Sequence, residues 1–157
     1  MFDALSLQRA AHALLRWRVP ALPRVLKRLI LHLYGSVLDP ALELPADTQL
    51  GYGGLGIVIH PGVRLGRRVL VSHGVTLGGR DGHEGLPVVE DDVKIGSGAK
   101  VLGPVRLGRG SRVGANAVVL RDVPPGATVA GVPAKEVGAR AAHGASGLGL
   151  VAGDAKE

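Results

Sequence analysis

Val89–Leu120 reads VEDDVKIGSGAKVLGPVRLGRGSRVGANAVVL. An aliphatic residue returns at every sixth position, at Val89, Ile95, Val101, Leu107, Val113 and Val119. Six residues are too few for a repeat that contains a helix, so each hexapeptide is read as one short strand and a turn. The same phase runs back through Leu77, Val71, Leu65 and Ile59, which makes ten positions in one register. Four residues after each such position, outside one interruption, stands a small or β-branched residue: Val63, Val69, Val75, Val93, Ala99, Val105, Ser111, Ala117 and Val123. Glycine commonly follows the aliphatic, and Gly98, Gly110 and Asn116 occupy positions where a corner must be turned. Three strands then close a triangular coil whose interior these residues fill, and stacked coils pair each other's backbone groups. This is a parallel β-helix. Leu44 and Leu50 extend it to twelve faces, or four coils, so the expected fold is an all-β main domain over 44–137. Its last segment, PPGATVAGVPAKEV at 124–137, reads as a closing turn.

Composition agrees with a repeat. Aromatics are 3% of the 157 residues and glycines number 25, so the core is layered from small aliphatics instead of a few large anchors. The absence of cysteine excludes disulfides and thiolate metal sites. With no secretory signal and no apolar run near the length of a membrane span, a cytoplasmic protein is expected.

Residues 1–43 are set apart as a short basic amphipathic segment. Two helices are expected there, with apolar stripes Leu5, Ala10, Leu14, Leu15 and Leu22, Val25, Leu26, Leu29, Ile30, Leu33, broken at Pro20 and Pro23. The stripes are expected to pack on the main domain or on a neighbouring subunit. The net charge of +6 concentrates here, with Arg9, Arg16, Arg18, Arg24, Lys27 and Arg28 against Asp3 and Asp39. Such a face suits weak contact with an anionic membrane surface, an acidic ligand, or solvation alone. No nucleic-acid partner is expected. The Gly/Ala-rich stretch 138–157 has no pattern and is expected to be a flexible tail.

The interruption lies between Leu77 and Val89, twelve residues apart. Six residues are added without disturbing the phase that follows, so the loop 78–88 is expected to bulge outward. Its content, GGRDGHEGL, offers no aliphatic for a core slot, and an unpaired buried His83 would cost several kcal/mol. Faces three apart stack, which sets Tyr52 against His73 and His60 against Gly78. Tyr52, His60, His73 and His83 are therefore expected along one edge of the solenoid.

The hexapeptides, together with VTLGG, IGSGAKVLGPVRLG and VGANAVVLRDVPPGATVAGVPAKEV, resemble the left-handed β-helix acyltransferases, most closely the serine O-acetyltransferase branch, over residues 44–137. The resemblance implies the left hand, acetyl-CoA as co-substrate with no metal required, and a homotrimer, with pairing of trimers open, whose active sites lie between prisms. It implies that the loop reaches a neighbouring subunit with a histidine of the acceptor site. His83 is that candidate, with Arg80 and Asp81 beside it as acceptor-binding residues. The family's first catalytic histidine, preceded by an acid, falls in LGYGGLGIV, where this chain has Gly51 and Tyr52. The general base is then expected from His60 or His73, with Tyr52 orienting the acceptor. The alternatives are a solvent-facing turn for His60, a stacking hydrogen bond for His73 and an edge cap for Tyr52. The pantetheine groove is carried over to Gly79, Gly98, Ala99, Asn116 and Ala117, and Lys135 to the CoA phosphates. These turns are corners of the solenoid in any case.

The family's long N-terminal helical domain, which gives an acid to serine recognition, is replaced here by about 40 basic residues. The expected acceptor is serine or a similar small hydroxyl compound. The ending AGDAKE lacks the family's isoleucine tail, so no complex with a cysteine-synthesising partner is expected. Three other readings compete: a sugar or polysaccharide acceptor, a non-catalytic CoA-binding homologue that has lost its base, and a zinc enzyme of the related carbonic anhydrase type.

Overall fold

The computed structural model describes residues 3–17 and 21–137. Arg18, Pro20 and the stretch 138–157 lie outside them. Helix α1 (Ala4–Arg16) opens on an Asp3 cap whose carboxylate accepts from the Ser6 amide at 2.7 Å. Helix α2 (Leu22–Tyr34) has Pro23 in its first turn, where the missing amide costs nothing. Pro23 therefore starts the helix and does not break it. Gly35, in the left-handed region, closes it.

The expected stripes are only partly used. Helix α1 buries Ala4, Leu5, Gln8 and Ala11, and α2 buries only Pro23 and Ile30. Gln8 is buried because its amide donates to the carbonyls of Leu42 (2.7 Å) and Asp39 (3.2 Å), pinning the chain where it enters the first coil.

The rest is a left-handed parallel β-helix. Its first face stacks Val37–Leu38, Val58–Ile59, Thr76–Gly78, Lys100–Leu102 and Val118–Val119. The second stacks Arg64–Leu65, Val88–Val89 and Arg106–Leu107; the third runs from Gln49–Leu50 through Leu70–Val71, Lys94–Ile95 and Arg112–Val113 to Thr128–Ala130. The antiparallel strand Lys135–Glu136 covers the last edge of the third face. The solenoid begins at Val37, seven residues before the hexapeptide pattern places it, because Leu38 is in register with Ile59. That register is masked in the sequence. Leu38 and Ile59 are 21 residues apart where Ile59 and Leu77 are 18 apart, the excess being taken up by a single turn, Gly51–Gly54.

The periodic aliphatics fill the interior as expected, with Ile59, Val71, Leu77, Ile95, Val101 and Leu107 no more than 1% exposed. Gly96 and Gly108 follow them by necessity. A Cβ at either would lie 2.7 or 2.5 Å from backbone nitrogen of the next coil.

The corner between the second and third faces carries charge that alternates by coil. Asp47 meets Arg67 (3.2 Å), Arg68 holds Asp92 in a two-bonded pair (2.6 and 2.8 Å), and Glu90 and Asp91 meet Arg106 (2.8 Å) and Arg109 (3.3 Å). Asp91 and Glu90 also accept from the backbone amides of Arg67 and Arg109. The Arg68 amide holds the Asp47 carboxyl below its ordinary value, the Arg106 guanidinium does so for Glu90, and the Arg68 guanidinium for Asp92. Carboxyls lowered on folding stabilise above their unfolded values of 3.8 and 4.5, and that contribution disappears as pH falls through the folded ones. The thermal midpoint is thus expected to be flat above about pH 5 and to fall below about pH 4. A midpoint unchanged to about pH 3 would show that this corner contributes nothing.

Candidate active site

The outer side of the first face is the wall of the site, and the candidate residues stand at its two edges. At the edge where the chain enters the face, Tyr52 and His73 meet edge to face, ring centroids 4.7 Å apart and planes at 82°. Their contact follows from register, since Leu50 pairs with Val71. Tyr52 is 81% exposed and sits at φ +52, a left-handed conformation that costs a non-glycine residue about 1–2 kcal/mol. The helices hold this turn in place. A Cβ on Gly54 would press to 2.8 Å of the Ala4 Cβ, and the buried Ser36 hydroxyl donates to the Gly54 carbonyl and accepts from the Ile57 amide.

His73 is half-buried and fixed from both sides. Its carbonyl accepts from the Gly98 amide (2.9 Å), and the neighbouring Gly74 carbonyl accepts from Lys100 Nζ (2.6 Å). One coil on, Ser97 Oγ lies 3.3 Å from His73 Nδ1. With the proton on Nδ1 and donated to Ser97, Nε2 carries the lone pair. Ser97 was not singled out in the sequence; its position in the column of His73 shows once Val71 is paired with Ile95.

At the opposite edge, where the chain leaves the face, stand His60 and the loop. Their register is as expected, with Ile59 beside Leu77. The expectation of a single edge fails, however, because His73 opens and Gly79 closes the same face. Six residues of extended chain span at most about 20 Å. No hydrogen bond or ring contact joins His83 to His60 or His73 among the described residues. His60 is exposed, and its Nδ1 accepts from the Gly62 amide at 3.1 Å, which matches the solvent-facing turn.

The loop bulges outward as expected. Residues 79–85 are exposed, and Leu86 is tucked against the core as the anchor. A bridge between Arg80 and His83 closes its tip, and His83 Nδ1 lies 3.1 Å from the Asp81 carbonyl, with the rest of the imidazole facing outward.

Arg80 turns away from Asp81 and His83. It lines a cleft of about 250 Å³ with Leu120, Arg121, Pro133, Ala134 and Lys135. Three cations around small apolar side chains suit an anionic ligand with an apolar arm, such as the phosphates and pantetheine of CoA. Arg121 was not legible as a partner of Lys135, since only the stacking of coils places it two rungs from Gly79. Gly79, Gly98 and Asn116 sit at corners open to solvent. Ala99 and Ala117 are fully buried, and their amides donate within the solenoid to Gly96 and Gly114, so they offer a ligand no free donor. A larger cleft of about 860 Å³ between α1 and the first coil contains none of these residues. Its Arg9 and His12 are engaged with the carbonyls of Pro45, Ala46 and Pro40.

Residues 87–121 match the family model for the bacterial transferase hexapeptide of six repeats. The serine acetyltransferase of Helicobacter pylori strain J99 is 38% identical over 136 residues, which cover 85% of this chain and 79% of that one. The chain belongs to the serine acetyltransferase family. The serine acetyltransferase of Synechococcus elongatus is 39% identical over 138 residues, 87% of this chain and 56% of its own length, so the family member described here spans little more than half of that relative. A crystal structure of the Brucella abortus serine acetyltransferase in complex with coenzyme A superposes with a TM-score of 0.79 at 34% identity, covering 86% of this chain and 54% of that chain.

Proposed function

We propose that this family member is an acetyl-CoA-dependent O-acetyltransferase whose acceptor is serine or a similar small hydroxyl compound. The observation that carries the reading is the Tyr52–His73 contact. Tyr52 occupies the place of the family's first catalytic histidine, and His73 supplies an imidazole 4.7 Å away on the next coil. Moving an acetyl group from a thioester to a hydroxyl requires the hydroxyl proton to leave as the C–O bond forms and to return to the departing sulfur as the C–S bond breaks. His73 Nε2 takes and returns that proton, Ser97 holds the ring, and Tyr52 orients the acceptor. Arg80, Arg121 and Lys135 hold the phosphates of the donor, which supplies the activated acetyl group, and the wall of the first face guides its arm toward His73.

His83 stands too far from His73 within one protomer to share a site with it. A homotrimer, with the loop of one protomer beside the Tyr52 edge of the next, brings the two imidazoles to one cleft. Consumption of acetyl-CoA places the protein in the cytoplasm. With serine as acceptor the product carries a leaving group on its β-carbon, ready for replacement by a sulfur nucleophile as cysteine biosynthesis requires. A sugar acceptor is the second reading, favoured by the exposed Tyr52 ring, which offers a flat apolar surface beside the base.

The test is thiol release from acetyl-CoA, scanned over serine, homoserine and a panel of sugars. Turnover is expected to be highest with serine. A sugar that exceeds serine selects the second reading, and CoA binding without release for any acceptor overturns the enzymatic one.

A further inference from the structure

The apolar stripe that the solenoid leaves uncovered has a composition that identifies what it meets. Leu22, Val25, Leu29 and Leu33, spaced to lie on one line of α2, are 43%, 55%, 39% and 57% exposed. The adjoining line carries Arg24, Arg28 and His32, all exposed. Trp17, at the end of α1, is 78% exposed. Pro23 and Ile30 already anchor α2, so the stripe is free of duty in the core.

We propose that this face of α2 docks on the surface of a bilayer containing anionic phospholipid. An apolar line flanked by bases is the pattern of a helix that lies in the interface, its aliphatics among acyl chains and its cations among phosphates, with an aromatic such as Trp17 at headgroup level. A second copy fits poorly. Neither α1 nor α2 contains an acid, so a two-fold contact sets Arg24 and Arg28 against their own counterparts. The nearby Asp39 is engaged by Lys27 at 2.6 Å. Among the described residues no helix is long and apolar enough to cross a membrane, so the contact lies at the surface. This inference stands apart from the acetyl-transfer reading, since attachment needs no turnover.

The full chain is sedimented with phosphatidylcholine vesicles with and without phosphatidylglycerol. Attachment is expected to be tighter by roughly tenfold or more with phosphatidylglycerol and to be lost at high salt. Arg24→Glu with Arg28→Glu, and separately Val25→Glu with Leu29→Glu, are each expected to remove that gain. All four sites are exposed, and an unchanged thermal midpoint confirms folding in each variant. Equal attachment to both vesicle types, or variants that bind as well as the parent, overturns the proposal. So does Val25→Glu with Leu29→Glu breaking apart an assembly of this chain, since a second copy then covers the stripe.

Discussion

His73→Asn is expected to lower turnover about 10³-fold while the oligomer and the affinity for CoA stay unchanged. Asparagine keeps a polar side chain at the edge but cannot cycle a proton near neutral pH, so the loss reports on proton transfer and not on the fold. His83→Ala is expected to cost about 10²-fold or more, because it removes the second imidazole from the acceptor side. The two variants also test where the site lies. If His73 and His83 act from different protomers, mixing the two inactive proteins under subunit exchange restores part of the activity, since some clefts then contain both native residues. Full activity of His73→Asn would remove it as the base and turn attention to His60. Failure of the mixture to recover would place both histidines in one protomer's function.

Leu77→Ala is expected to destabilise the protein by about 2–5 kcal/mol in denaturant unfolding. Leu77 is fully buried and lies mid-stack on the first face, between Ile59 and Val101. A prism three strands wide has little to collapse into a vacated slot, and the cost is shared by the coils on either side. Leu77→Met, which conserves volume, is expected to cost less than about 1.5 kcal/mol. Similar losses for both would indicate that shape at this rung, and not the cavity, sets the stability. The same rung joins the His73 turn to the loop, so turnover of Leu77→Ala is expected to fall before global unfolding.

The interior of the solenoid was legible from the hexapeptides because the period of a strand and turn is written into which residues cannot face water. Val71, Leu77, Ile95 and Val101 had no alternative to burial. The outward loop was legible for the complementary reason, since nothing in GGRDGHEGL belongs inside. The vertical pairing of Tyr52 with His73 and of His60 with Gly78 also followed from counting residues per coil.

Other features depended on three-dimensional placement. Hexapeptide counting does not distinguish one corner of a triangle from another, so the histidines were assigned to one edge where the structure sets them at two. It also missed the first rung at Val37–Leu38, because the Gly51–Gly54 turn shifts the phase. Ser97 beside His73 and Arg121 beside Lys135 are contacts between coils, 24 and 14 residues apart, with no local signature.

Periodicity alone therefore settled which side chains leave water, because burial is a property that repeats with the strand. Which polar groups meet, and on which edge, was decided only by the closure of the chain into a prism, since electrostatic and hydrogen-bonding partners are chosen by distance in space and not along the sequence.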